Sequence, residues 1–275
     1  MEVSAYIPCF NNRATLAEVI ASVRGQTAPV GQIVVIDDGS NDGSAREAET
    51  AGANVVVQPS NLGRGPARRR GMEATSAPFV ACCDATNVLP PDFIARSLKW
   101  FARADVAAVY GRISQRPGGD AVSRWRGRHL FKMDGPHAPA GETSSFATYG
   151  AVVRRSAVEA VGNYDASLRH TEDAELGARL QKGGWKIICD PDLVVYSVVQ
   201  NTLAQTLERY WRWYAGADER IAAKHYLRSV WFSLRCMVPQ DLRAGDPAAG
   251  AISLMAPHYQ FWKSALRKLP GAARR

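Results

Sequence analysis

Four polar clusters hold the side chains best able to do chemistry: Pro8-Cys9-Phe10-Asn11-Asn12, Asp37-Asp38-Gly39-Ser40, Asp84-Ala85-Thr86-Asn87 and Thr171-Glu172-Asp173-Ala174-Glu175. The first three each follow a short apolar run that reads as a strand. In open parallel sheets the crevice beyond the carboxyl ends of the strands is where ligands bind, so topology would gather these clusters on one rim. Carboxylates there repel phosphate unless a metal or base pairing intervenes. Taken singly, each cluster has a structural explanation. Asp-Gly after a strand makes a turn, Asp84 with Thr and Asn caps a turn or helix, and Thr-Glu-Asp ahead of an apolar-spaced helix is a capping sequence. Arg68-Arg69-Arg70 reads as a solvated helix face.

The elements that must position these clusters alternate strand and helix over the first 110 residues, the pattern of an α/β layered fold with parallel strands. Val3–Ile7 is a strand ended by Pro8, and Arg13–Val23 is a helix with Leu16, Val19, Ile20 and Val23 on one face. Ile33–Ile36 is apolar on both faces, as buried parallel strands are. Ser44–Ala51, Gly65–Ala74 and Phe93–Ala102 read as helices, and Val55–Val57, Phe79–Cys83 and Val106–Tyr110 as strands. Farther on, Asp134–Ser145 reads as a long loop of the lid or binding kind. Ala174–Gln181 reads as a helix, Lys186–Cys189 as a strand, Thr206–Ala223 as an amphipathic helix and Asp241–Gly250 as a hinge-like linker. The expected division is an α/β domain over residues 1–200 and a basic, Trp-rich helical extension over residues 201–275.

Composition bounds the function. The 275 residues are 46% hydrophobic, which excludes disorder, and no run reaches the ~20 apolar residues that span a bilayer. The start lacks the basic and apolar regions of a secretory signal. Five cysteines without a paired CxxC spacing are expected to be reduced and mostly buried, which points to the cytoplasm. The net charge of +8 is concentrated at the end: from Leu203 onward there are 12 Lys and Arg against 5 Asp and Glu, with four of the seven tryptophans. Such a stretch suits either a helix packed with a solvated basic face or a surface that meets a membrane at its inner, cytoplasmic face. Nucleic acid is not the expected partner, because it would leave Asp37, Asp38, Asp84 and Asp173 unexplained.

The order of the motifs narrows the reading. Ile7-Pro8-Cys9-Phe10-Asn11-Asn12, Val34–Ser40, Asn61-Leu62-Gly63 with Ala67-Arg68, Leu89-Pro90-Pro91, Val161–Asp165, Glu172–Leu176 with Arg179, Gly184-Trp185-Lys186 and Pro191-Asp192 together resemble family 2 glycosyltransferases over about residues 1–200. The resemblance implies a GT-A, Rossmann-like single domain with a mostly parallel sheet, and inverting transfer from a nucleoside-diphosphate sugar. The expected donor is a UDP sugar, and the expected acceptor is lipid-linked or a polysaccharide.

It further implies that Pro8, Phe10, Asp38 and Arg68 line the nucleoside pocket, with Asp38 accepting from the base and Phe10 giving a stacking face. Asp84 falls at the first position of the family's Asp-x-Asp motif, whose second Asp is Thr86 here. Asp84 is thus the implied nucleotide-site ligand to Mn²⁺ or Mg²⁺, with one anionic oxygen ligand fewer than hard cations favour. Asp173 matches the family's catalytic base. Glu172 and His170 are expected in supporting or acceptor roles. Arg209, Arg212 and Trp213 partly match the Gln-x-x-Arg-Trp motif of processive synthases and are expected at the acceptor or in packing. The competing reading is a relative that binds nucleotide without turnover, or uses another donor without metal.

Overall fold

The computed structural model describes residues 1–133, 138–214 and 223–266, the side chains of residues 212–214, 223 and 266 excepted. Its described residues form two compact units, one of residues 1–114 and 138–199, the other of residues 115–133 and 200–266.

The first unit is an α/β layered sheet. Strand β1 (Val3–Cys9) lies parallel to β2 (Val30–Asp37) and to β4 (Phe79–Cys83), and β2 lies parallel to β3 (Asn54–Val57). The helices that connect them are α1 (Arg13–Arg24), α2 (Ser44–Thr50) and α3 (Arg64–Ala74). Four apolar residues at helical spacing, Leu16, Val19, Ile20 and Val23, bury one face of α1 in the main core beside Ile7, Val35 and Ala81. At about 0.8 kcal/mol per buried methylene, that stripe outweighs the modest propensity of its β-branched residues. The strand order β3-β2-β1-β4 reverses direction between β1 and β4. A crevice therefore opens at the carboxyl ends of those two strands.

Beyond β4 the sheet turns antiparallel. It continues through β8 (Gly150–Arg154) and β6 (Val106–Gln115) to β9 (Lys186–Ser197) and the two-residue β5 (Asn87–Val88), with β7 (Gly141–Glu142) also on β9. Strands β5 and β8 are not expected from the sequence, and β7 and β9 change what it led one to expect. Part of the expected 134–145 loop is β7, whose backbone pairs with Ile188 and Cys189; Asp134–His137 lie outside the described residues. Strand β9 runs through Pro191 to Ser197, because Leu193 and Val195 fill the core, Tyr196 packs against it and Asp192 is exposed. Helices α4 (Phe93–Trp100), α6 (Arg155–Ala160) and α7 (Glu172–Lys182) complete the unit.

The second unit is helical. Helix α5 (Ala121–Trp125) runs into a π turn at Arg126–Leu130. Helix α8 (Leu203–Tyr214) follows, then α9 (Ala223–Phe232) with a π turn at Ser233–Met237, α10 (Val238–Arg243) and α11 (Pro247–Leu266). Of the expected 206–223 helix, α8 holds the first part, with Leu207, Tyr210 and Trp211 buried; residues 215–222 lie outside the described residues. The expected linker at 241–250 is instead helical at both ends. Asp241 is fully buried and accepts from Arg128 (2.5 Å), from the Ser253 hydroxyl (2.6 Å) and from His129 Nε2 (2.9 Å). Those partners come from α5's π turn and from α11, so nothing within the segment reveals that its polarity is internal.

All five cysteines are unpaired; Cys9, Cys82 and Cys83 are buried, and Cys236 is exposed. No helix among the described residues is long and apolar enough to cross a membrane.

Candidate active site

A cleft of about 200 Å³ opens at the carboxyl ends of β1 and β4, at the reversal of strand order, lined by Pro8, Phe10, Asp38, Arg64, Asp84 and Thr86 among others. Its walls are built from loops that are stitched to one another. Asn11 N–H donates to Ser40 Oγ (2.9 Å) and its side-chain oxygen accepts from Asn41 N–H (3.0 Å). Asn12 N–H donates to Ser44 Oγ (3.0 Å), which donates in turn to Asp42 (2.5 Å). This lacing holds the loop after β1 with Phe10 presented outward, 44% exposed.

The two aspartates after β2 divide the work. Asp37 accepts from Ser40 N–H (3.1 Å) and closes the turn. Asp38, also buried, reaches across to the loop before α3. Its Oδ1 accepts from Gln58 Nε2 (2.7 Å) and Leu62 N–H (2.8 Å), and its Oδ2 from Gly63 N–H (2.9 Å). A carboxylate offers about four acceptor sites, so Asp38 keeps about one for a ligand in the cleft. Cys9 also lines the cleft, but burial pushes its thiol up to about 11, which makes it a neutral group rather than a nucleophile.

Arg68 does not line the cleft. It is 1% exposed, behind Asp84, and its NH2 donates to Asp84 Oδ1 (2.6 Å) while its Nε donates to Glu172 Oε1 (3.0 Å). Burial works against this guanidinium, but Asp84 and then Tyr6, Tyr164 and Glu172 hold its pKa well above the ordinary value. One buried cation thus ties the carboxylate of the cleft to the first residue of α7. The cation that does face the cleft is Arg64, half-exposed and 3.6 Å from Glu172 Oε1. Sequence reasoning passed over it in favour of Arg68. The available signal was its place just after Gly63, in the first turn of a helix whose N-terminus points at the sheet's rim.

Helix α3 meets the loop ahead of α7 at close range. Arg64 N–H donates to Arg169 O and Gly65 N–H to Leu168 O, both at 3.1 Å, and Arg169 also binds Asn61. A Cβ at Gly65 would lie 2.1 Å from Leu168 O and 2.5 Å from Asp165 O. Both are backbone atoms, so Gly65→Ala should cost about 1–3 kcal/mol despite alanine's better helix propensity, read from denaturant unfolding. A variant as stable as the parent would show that this junction is loose.

Asp173, beside Glu172, is partly exposed and accepts only from its own-turn Ala174 N–H (2.9 Å) among the described hydrogen bonds. It is outside the lining of the cleft. Glu175 is engaged by Arg179 (2.6 Å), a helix-surface pair, and His170 is exposed. Asn87 is buried and donates to Tyr149 O (2.9 Å). Arg209 sits on α8 of the second unit; the side chains of Arg212 and Trp213 lie outside the described residues.

At the Asp84-Ala85-Thr86 segment a divalent cation finds one carboxylate, and the other carboxylate lining the cleft, Asp38, is already engaged by three donors. Asp84, 30% exposed, has one oxygen on Arg68, and Thr86 adds a neutral hydroxyl. Among the described residues no cluster of three His, Cys, Asp or Glu could hold a metal alone. The donor set fits a cation only when another ligand brings several oxygens of its own.

Comparison with known proteins gives a consistent result. The family model described as Glycosyl transferase family 2 matches residues 4–162, more than half of the chain. The chain is 28% identical over 233 residues to the pre-mycofactocin glycosyltransferase of Mycobacterium tuberculosis, covering 82% of this chain and 48% of that protein. It thus spans about half the length of that relative. It is 27% identical over 259 residues to the succinoglycan biosynthesis protein ExoA of Rhizobium meliloti, covering 90% of this chain and 76% of that one. Among solved structures, the mannosyltransferase PcManGT from Pyrobaculum calidifontis in complex with GDP-Man and Mn²⁺ aligns with a TM-score of 0.60 at 19% identity, over 99% of this chain and 88% of that one. S. aureus TarS 1-349 in complex with UDP-GlcNAc aligns with a TM-score of 0.58 at 14% identity, over 85% and 66%. At such identities the structural likeness speaks to the fold.

Proposed function

The chain belongs to glycosyl transferase family 2, and on that footing we propose that it moves a sugar from a uridine diphosphate sugar to a hydroxyl of a lipid-linked or polysaccharide acceptor presented at the cytoplasmic face of a membrane. The observation that carries this is the cleft at the strand reversal, where Phe10, Asp38, Arg64 and Asp84 converge and a buried arginine ties Asp84 to the helix bearing Asp173.

Each role follows from chemistry. Phe10 offers an exposed ring for the base to stack on, worth roughly 1–3 kcal/mol for stacked bases. The remaining acceptor site on Asp38 suits the N–H of uracil. Arg64 lies in the cleft to offset the charge of the diphosphate as it leaves. The Asp173 carboxylate takes the proton of the acceptor hydroxyl. The acceptor oxygen then bonds to the anomeric carbon, the bond from that carbon to the diphosphate oxygen breaks, and UDP departs with the electron pair. A single displacement of this kind inverts the anomeric centre. Asp84 and Thr86 are the residues that would hold Mn²⁺ or Mg²⁺ together with the diphosphate, and the ion's contribution there is neutralisation of phosphate charge.

Because Asp84 is shared with Arg68 and Asp38 is engaged by three donors, Mn²⁺ alone should leave the melting temperature unchanged. UDP at 100 times its Kd should stabilise by about 2.7 kcal/mol, or roughly 5–10 °C at this size. That shift should persist in EDTA and grow when Mn²⁺ is added with UDP. No shift with UDP in either condition would overturn the assignment of the cleft. The neutral Thr86 favours a second reading, a relative that binds nucleotide without turnover, which predicts the same UDP shift but no release of UDP from any UDP sugar.

A further inference from the structure

The second unit carries a surface that the transfer reaction does not use. Residues 223–237, helix α9 and its π turn, contain Lys224, Arg228 and Arg235 and no Asp or Glu. On the same stretch Leu227, Trp231 and Leu234 are 66%, 58% and 55% exposed. Their spacing of four and three residues sets them in one stripe along the helix. The Arg235 guanidinium lies 5.5 Å from the centre of the Trp231 ring, so a cation and a large apolar ring share one exposed spot. Helix α11 packs on α9 through Tyr226, which bonds His258 (2.9 Å) and stacks on Phe261 (4.5 Å), and it exposes Trp262 to 64%. Monomeric proteins seldom leave so many large apolar side chains exposed together without a partner.

Within this unit lies a cavity of about 550 Å³ that is also charged at one part and apolar at another. Lys132 and Arg228, both exposed, stand on its rim, and Phe232, Met237 and Tyr210 form its apolar wall. Arg128 is pinned at the same cavity by the buried Asp241 (2.5 Å). A ligand that suits this lining has an anionic head beside apolar chains.

We propose that the α9 face of the second unit docks on a bilayer containing anionic phospholipid, with the cavity receiving a phosphate headgroup between Lys132 and Arg228. The apolar stripe enters the acyl boundary while the acid-free run of cations meets the negative surface, the pattern of an interfacial helix. A nucleic acid would use the cations but leave Leu227, Trp231 and Leu234 in water. The proposal rests on residues outside the donor cleft, so it stands or falls apart from the UDP measurement.

The test is co-sedimentation of the full chain with vesicles of phosphatidylcholine alone and of phosphatidylcholine mixed with phosphatidylglycerol. The chain should partition onto the mixed vesicles, less so at high salt. Lys132→Gln with Arg228→Gln should weaken partitioning about thirtyfold, about fivefold per cation. Leu227→Gln with Trp231→Gln should abolish it at any salt. A far-UV circular dichroism spectrum and a melting temperature matching the parent's in each variant show that the protein remains folded. Equal partitioning onto both vesicle types, binding to neither, or a cation variant that binds like the parent would each overturn the proposal. So would a thermal shift by soluble glycerol phosphate without vesicle binding, which marks a free-phosphate site, or RNA binding without vesicle binding.

Discussion

Asp173→Asn should reduce the release of UDP from a UDP sugar in the presence of acceptor by about 10²–10⁴-fold, the usual contribution of a general base. The substitution keeps size and shape and removes the ability to accept a proton. Asp173 accepts only from Ala174 N–H among the described hydrogen bonds, so the fold loses little. It is not part of the cleft lining, so stabilisation by UDP should match the parent's. The combination of lost turnover with intact nucleotide binding is what separates a base from a structural residue. A variant with parental turnover would move the base elsewhere on α7 or its neighbours, and a variant that loses UDP binding too would recast Asp173 as part of the donor site.

The second large effect is on stability. Glu172 is fully buried and is one of two carboxylates on the buried Arg68 guanidinium. Glu172→Ala leaves that cation with Asp84 alone, and breaking a buried pair from one side costs about 3–5 kcal/mol. At this chain length the melting temperature should fall by roughly 6–20 °C. Glu172→Gln keeps an acceptor for Arg68 Nε without the charge, so its loss should be smaller. One oxygen of Glu172 has no hydrogen-bond partner among the described residues, so the geometry is not at its electrostatic best. A melting temperature within a degree of the parent's for Glu172→Ala would show that Asp84 alone neutralises Arg68. UDP binding to the surviving folded fraction reports whether Asp84 needs that anchor to face the cleft.

Much of the first unit was legible in the letters. A strand buried on both faces, such as Ile33–Ile36, must be apolar throughout, and a helix such as α1 must repeat its apolar residues every three to four positions. These local demands announced β1 to β4 and the helices between them, and hence the rim on which Asp38 and Asp84 sit. Strand β8 went unread because Gly150–Arg154 is short and carries no turn signal of its own; it is a strand because β4 and β6 pair with it on either side. Similarly, the polar run at 241–250 looked like a linker because two of the three partners of Asp241, Arg128 and His129, lie more than a hundred residues earlier and the third, Ser253, lies on the next helix.

The arginines make the same distinction at the site. That α3 carries several cations near the rim follows from composition and order along the chain, which are local facts. Which of them faces the cleft depends on how distant segments pack around the helix. Arg68 sits one helical turn beyond Arg64, between β4 and the start of α7, where two carboxylates from distant parts of the chain surround it. A buried guanidinium is tolerable only where such carboxylates meet it. That meeting depends on the antiparallel return of the chain and on the contact of Gly65 with Leu168, neither of which leaves a mark on the residues near Arg68.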